Sequence, residues 1–191
     1  MRLSRVIAFE LCLLAISVAP AAAQGIVGGV EAGATLARVS PDAAGQSVSM
    51  SAGFLAGAYV DIPFITLAGI HIEGLYVQKN SSLGSGADLK LDYIEIPVLA
   101  KLKLFKGIYM LEGIGIGIPV RARVQPSSGA ERDISSQLTN PDIGLIVAGD
   151  VPVSGRAAIE LRYDGGFRNV NATAGATQRN RSWSLVARVQ F

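Results

Sequence analysis

Hydrophobicity in this chain repeats every second residue, and that period limits what it can fold into. At the C-terminus Trp183, Leu185, Ala187, Val189 and Phe191 alternate with Ser182, Ser184, Val186, Arg188 and Gln190. Between 156 and 164, Ala157, Ile159, Leu161 and Tyr163 fall on one side, and Ala158, Glu160, Arg162 and Asp164 on the other. Successive side chains of a strand point to opposite faces, so such segments are strands with one apolar and one polar face. Eight can be drawn, over 26–38, 50–60, 65–79, 89–104, 108–123, 142–152, 156–167 and 181–191. The connections after the second, fourth and sixth are short (61–64, 105–107, 153–155). The others (40–49, 80–88, 124–141, 168–180) are longer and rich in Ser, Gly, Pro, Asn and Gln. Short turns at one end and long polar loops at the other predict an all-β fold, an eight-stranded antiparallel transmembrane up-and-down β-barrel. Hydrocarbon offers no partner to an open sheet edge, where each unpaired group costs several kcal/mol, so the sheet must close.

The N-terminus has a different pattern. Arg2 and Arg5 precede an apolar run over 11–19, and Ala21, Ala22 and Ala23 supply small residues before Gln24. This is the layout of a secretory signal peptide over 1–23, with 24–191 as the outer-membrane barrel domain. The run is too short to span a bilayer as a helix. Cys12, the only cysteine, lies inside it, so the exported chain has no disulfide framework and no cysteine-based metal site. Half of the residues are hydrophobic, which excludes disorder. Seventeen basic against fifteen acidic residues leave no nucleic-acid footprint.

Alternation also assigns faces. Ile94, Ile96, Val98, Ala100 and Leu102 take the lipid side, as do Ile70, Ile72 and Tyr76. Glu31, Glu73, Glu95, Lys101, Lys103, Asp150, Glu160, Arg162 and Arg188 then point inward with His71, as a structural network of lumen charges. Eight strands enclose a space that side chains just fill. Arg188 is expected to pair with Glu160 or Glu31. Gly113, Gly115 and Gly117 share the inward parity, making room for long Lys and Arg side chains or leaving a water path. Glu112 falls on the lipid parity, and Pro97 removes a ladder donor in mid-strand. Tyr59, Phe64, Phe105, Tyr109 and Phe191 lie near the short-turn ends. Tyr76, Tyr93, Tyr163, Phe167 and Trp183 lie toward the long loops, and Phe54 sits between. Two such belts suit the bilayer interfaces.

The segment Leu91-Asp92-Tyr93-Ile94-Glu95-Ile96-Pro97-Val98-Leu99-Ala100-Lys101-Leu102 resembles the central strand of PorT-like outer-membrane β-barrel proteins. That strand runs Tyr, aliphatic, Glu, Ile, Pro, then apolar residues and Lys. Trp183, Leu185, Ala187, Val189 and Phe191 resemble the final strand of outer-membrane barrels in general, whose terminal aromatic and alternating apolar residues are read by the barrel insertion machinery. The resemblance implies an eight-stranded barrel in the outer membrane of a Gram-negative bacterium. It implies no single activity.

Chemistry is sparse. His71 is the only histidine, with Glu73 on the same face. A lipid A acyl hydrolase would carry its constellation on the lipid side near the outer leaflet, whereas His71 points inward with no adjacent serine. Gly113-Ile114-Gly115-Ile116-Gly117 lacks the spacing and following helix of a nucleotide loop. No cluster has metal-ligand spacing, so no catalytic residue, cofactor or metal is expected. Asn80-Ser81-Ser82 and Asn171-Ala172-Thr173 match acceptor motifs but are plain loop residues in a bacterial protein. Arg168, Arg179 and Arg181 make the last loop mildly basic, which suits contact with anionic lipopolysaccharide, although a solvated loop is the default reading. These readings predict a non-enzymatic integral outer-membrane protein, with a structural or surface-interaction role through its loops. The expected partners are outer-membrane lipid, lipopolysaccharide and the insertion machinery. The alternatives are a small porin-like channel for water or ions, a lipid-modifying enzyme, and a soluble secreted barrel with an apolar interior.

Overall fold

A computed structural model describes residues 25–41, 48–83, 86–138, 140–170 and 178–191. The expected signal peptide, residues 1–23, and Asn171-Ala172-Thr173 lie outside them. Eight long strands are present: β1 (Val27–Pro41), β2 (Val48–Ile65), β3 (Ala68–Gln78), β4 (Ala87–Lys103), β5 (Tyr109–Gln125), β6 (Asp142–Pro152), β7 (Ala157–Gly166) and β8 (Gln178–Gln190). Each pairs antiparallel with the next, and β8 returns to β1 over Gly29↔Gln190 to Pro41↔Gln178. The sheet is a closed ring. Partners can be followed around it as Gly28, Val60, Ile72, Val98, Ile114, Leu145, Gly165, Arg181 and Arg38. The path leaves β1 at Gly28 and returns at Arg38, a stagger of ten residues. Such a stagger tilts strands by roughly 35–45° and leaves a lumen that side chains fill.

The strands run further at the long-loop end than alternation alone suggested. Ser81–Leu83 continues β3 after a break and pairs with both β2 and β4. Arg132–Asp133 adds to the edge of β5, and a 3-10 turn follows at Ser135–Gln137. The expected loops at 80–88 and 124–141 are therefore partly built into the barrel wall. A register shift sits opposite Asp92 and Tyr93 in the β4–β5 pair, so the parity of β5 changes above Pro119. Below it β5 is regular, and Glu112 lies on the outer face opposite Ala100 and Val147. Pro97 falls where the β3–β4 ladder skips from Ile72↔Val98 to Leu75↔Glu95, and the missing donor is accommodated in that gap.

Faces follow parity. The exterior exposes Leu36, Phe54, Ile94, Ile114, Leu145 and Leu185, while Leu55, Leu75, Leu99, Leu111 and Ile146 are buried inside. The aromatic belts need correction. Phe64, Phe105, Phe167, Trp183 and Phe191 are exposed on the outside. Tyr59 and Tyr93 are buried in the lumen, and Tyr109 turns inward, where Lys101 Nζ lies 4.8 Å from its ring centroid. Their parity matches Leu55, Glu95 and Leu111, and parity outweighs nearness to a turn.

The glycine stripe of β5 also has a different purpose from the one expected. A Cβ on Gly115 would meet Glu95 Oε1 and Ile146 Cδ1 at 2.8 Å, and one on Gly117 would meet the Tyr93 ring at 3.1 Å. The space is taken by Glu95, Ile146 and Tyr93 rather than by Lys or Arg, and it leaves no water path there. Gly115→Val is expected to destabilise the barrel by about 1–3 kcal/mol, the usual penalty for over-packing. Urea unfolding in detergent micelles, followed by the fluorescence of the single tryptophan Trp183, measures it. An unchanged midpoint would contradict this packing.

Candidate functional site

The lumen is where the fold concentrates its chemistry. Among the described residues, eight inward carboxylates (Glu31, Asp61, Glu73, Glu95, Asp142, Asp150, Glu160, Asp164) share it with four permanent cations (Lys79, Lys101, Arg162, Arg188) and His71. An unpaired charge in such a setting is strongly disfavoured, so the side chains arrange themselves as pairs.

The lower group, toward the short turns, forms a closed circuit. Lys101 Nζ bonds Asp61 Oδ2 at 2.7 Å, and Asp61 Oδ1 lies 2.6 Å from His71 Nδ1. His71 Nε2 lies 2.7 Å from Glu73 Oε1. Arg162 grips both oxygens of Glu73, at 2.5 and 2.7 Å, and donates Nε–H to Glu160 at 2.6 Å. Arg188 contacts Glu160 at 3.4 Å and also pairs with Asp150, whose other near cation is Lys101 at 4.0 Å. The Arg188 guanidinium also stands 3.1 Å from His71 Nε2. Glu31 sits directly opposite Arg188 in the β1–β8 register, yet neither of its buried oxygens has a hydrogen-bond partner among the described residues.

The upper group is separate. Lys79 reaches in to Glu95 at 2.7 Å and Asp164 at 2.5 Å. Asn180 donates to the Tyr93 hydroxyl at 3.0 Å and to Asp142 at 2.6 Å. Above these, Val39, Leu89, Leu91, Tyr93, Ala122 and Val170 form an apolar plug, with Ile134 and Leu138 of the β5–β6 loop packed against it. At the opposite end the lumen opens into a vestibule of about 320 Å³ lined by Tyr59, Asp61, Lys101, Tyr109, Asp150 and Arg188. Among the described residues, apolar side chains fill the lumen at the long-loop end, and it opens at the short-turn end.

Of the residues expected in the network, Glu31, Glu73, Glu95, Lys101, Asp150, Glu160, Arg162 and Arg188 all face the lumen. Arg188 meets Glu160 as expected, adds Asp150, and leaves Glu31 aside. Lys103 lies half-buried at the strand end and enters no ion pair among the described residues. Sequence reasoning missed Asp61, Lys79, Asp142 and Asp164. All four could have been found, since Asp61 and Asp164 share the inward parity of Tyr59 and Arg162, and Lys79 and Asp142 that of Glu73 and Asp150. The remaining residues of interest lie outside: Trp183, Leu185, Ala187, Val189 and Phe191 make the outer face of β8 and its end.

No family model matches the chain, and no curated protein matches it. Solved structures do. Neisserial surface protein A (NspA) aligns at a TM-score of 0.56 and 18% identity, over 88% of this chain and all of that one. Ail, the attachment invasion locus protein of Yersinia pestis, aligns at 0.51 and 15% identity, over 86% of this chain and 98% of that one. Ail in complex with the heparin analogue sucrose octasulfate aligns at 0.52 and 13% identity, over 88% and 100%. At these identities the likeness shows the fold, a closed eight-stranded antiparallel barrel of the outer-membrane kind.

Arg162 is the hub of the circuit. Arg162→Ala leaves Glu73 and Glu160 without their cation and is expected to destabilise the barrel by about 3–5 kcal/mol, the usual effect of breaking a buried pair. Replacing all three, as Arg162→Met with Glu73→Gln and Glu160→Gln, is expected to recover most of that loss. Chemical denaturation in micelles compares them. Equal stability of Arg162→Ala and the parent would show that the circuit holds nothing together.

Proposed function

We propose that the chain is an integral outer-membrane β-barrel protein of a Gram-negative bacterium, exported by a cleaved signal peptide over residues 1–23. Its role is structural or surface-interacting, carried by the long loops. The observation that carries the location is the combination of an apolar exterior with a charged interior. Leu185 is 58% exposed on the outside, while Arg188 and Glu160 are 2% and 0% exposed within. Only a hydrocarbon surround makes that arrangement favourable. It also disfavours a soluble secreted barrel, whose faces would be inverted. The Tyr93-to-Lys101 sequence of β4 supports grouping the chain with PorT-like barrels, and the outer face of β8 with terminal Phe191 suits recognition by the insertion machinery.

The same lumen supports a non-enzymatic, non-conducting role. Both nitrogens of His71 face carboxylates inside the barrel, away from the acyl chains a lipid-modifying enzyme must reach. The apolar plug and two ion-pair groups fill the path a channel would need. Loops on a rigid scaffold are where interaction surfaces reside. In planar bilayers the purified protein is expected to give no steady current. A stable ohmic conductance would replace this reading with the porin-like alternative.

Lipopolysaccharide is the proposed partner of the outer wall. Arg38 and Arg181 are direct register partners on the outward face of β1 and β8, two residues beyond the Trp183–Tyr163 ring pair, whose centroids lie 5.0 Å apart. Like charges opposite one another repel unless an anion lies between them. An interfacial tryptophan marks the headgroup level, and the arginine pair just beyond it is suited to lipid A phosphates. Arg38→Gln with Arg181→Gln is expected to lower heat stability in lipopolysaccharide-containing vesicles and to leave it unchanged in phosphatidylcholine. Equal loss in both lipids would rule out phosphate recognition at this pair.

A further inference from the structure

Glu31, His71 and Glu73 are all buried, and each brings one ligand atom to a point where these atoms lie within 4.8 Å of one another. They come from β1 and β3, with β2 between, and Gly57, opposite Glu31 on β2, places no side chain in the gap. Two features make this more than a cluster of acids. Glu31 is only 4% exposed, and neither of its carboxylate oxygens has a hydrogen-bond donor among the described residues. A buried carboxylate without a hydrogen-bond donor is strongly disfavoured.

The second feature is His71. Its Nδ1 is held at 2.6 Å by Asp61, which fixes the N–H there and directs the Nε2 lone pair inward. Nε2 then faces Glu73 Oε1 at 2.7 Å, lone pair against carboxylate. If Nε2 carried a proton to satisfy Glu73, its N–H would oppose the Arg188 guanidinium at 3.1 Å. Neither protonation state satisfies both neighbours, whereas a cation between Nε2, Glu73 and Glu31 satisfies the histidine and both carboxylates. Arg188 keeps Asp150 and Glu160 when it yields Nε2.

Charge leads to the same conclusion. The lower lumen holds five carboxylates (the circuit's four and Glu31) against three permanent cations, an excess of two negative charges when His71 is neutral. One divalent ion balances it.

We propose that Glu31, His71 and Glu73 form a binding site for a divalent transition-metal ion, with Asp61 orienting His71. Mixed imidazole and carboxylate donors suit zinc, whose bonds of about 2.0–2.1 Å put neighbouring ligand atoms roughly 3.3 Å apart, so Glu73 Oε1 moves back from its 2.7 Å contact with Nε2 as the ion enters. A carboxylate on the far imidazole nitrogen is the usual outer partner of a metal-bound histidine. The vestibule gives the ion its route, since Asp61 lines it and touches His71. The site therefore loads from the short-turn end. Its metal ties β1 to β3 over Gly57 of the intervening β2.

The single histidine makes the test direct. The full barrel, prepared without a histidine tag and stripped with chelator, is titrated with Zn2+ while the 15N resonances of His71 are recorded. One equivalent is expected to move Nε2 into the metal-bound range and leave the Nδ1 proton in place. In calorimetry, Glu31→Gln and Asp61→Asn are expected to weaken the same binding event about 10–100-fold. Glu95→Gln, in the upper group, is expected to leave it unchanged. The heat-modifiable gel shift reports folding of each variant, and where one does not fold the wild-type resonances decide. His71 signals unmoved by excess Zn2+ would overturn the site and leave protonation as the means of neutralising Glu31. Equal affinity in folded Glu31→Gln would equally overturn it.

Discussion

Closure of the ring by β1 and β8 is the constraint on which the rest of the structure depends. Pairing from Gly29↔Gln190 onward removes both sheet edges at once. In hydrocarbon that removal is obligatory, since no water satisfies an open edge. Once the ring is closed, alternation has only two destinations, lipid or lumen. Charged side chains at mid-depth are then driven inward, whatever their sign, and Glu112 stays on the outer face near the short-turn end of β5. The ten-residue stagger sets how much space receives them. At eight strands that space has the width of side chains, so the charges meet one another rather than a column of water.

The circuit from Lys101 to Asp150 is therefore a consequence of geometry before it is a source of stability. Replacing a buried ion pair with well-packed apolar residues is often neutral or stabilising, whereas removing one partner is costly. The lumen follows that asymmetry. Arg162 serves Glu73 and Glu160, and Arg188 shares Glu160, adds Asp150 and reaches His71. Each cation is shared, so the network is cooperative and intolerant of single deletions. Directly above the upper group the chemistry turns apolar, with Leu89, Leu91 and Tyr93 packed under Ile134 and Leu138. The long-loop end is closed by side chains and the short-turn end is not, and this asymmetry decides which compartment reaches the lumen charges.

Much of this was legible in the sequence because period 2 is a hard rule in a barrel wall. Glu31, Glu73, Glu95, Glu160, Arg162 and Arg188 fall on the inner face by counting alone. The misses have two physical origins. Near strand ends, face depends on where pairing stops and on bulges. The shift opposite Asp92 and Tyr93, which turns Ala122 inward against the parity of Gly113 to Gly117, has no counterpart in hydropathy. Tyr59, Tyr93 and Tyr109 were placed by nearness to turns, a weaker rule than parity, and parity assigns all three inward. Ile134, Leu138 and Val170 lie in segments that read as polar loop, and their burial as a plug arises only when the loops fold over the mouth.

Sequence spacing also concealed the Glu31, His71 and Glu73 cluster, and the reason is general to barrels. Metal motifs in sequence depend on local geometry, as when two histidines four residues apart share a helix face. In a closed sheet the ligands of one site come from strands far apart in the chain, and their height is set by strand register. Glu31 and His71 are forty residues apart in number, yet the β1–β2 and β2–β3 registers bring them to neighbouring levels through Gly57 and Asp61. A sequence scan for such sites would have to impose the ring and its stagger first, and then look for inward residues at one level. Applied here, that procedure would select Glu31, Glu73 and His71 together.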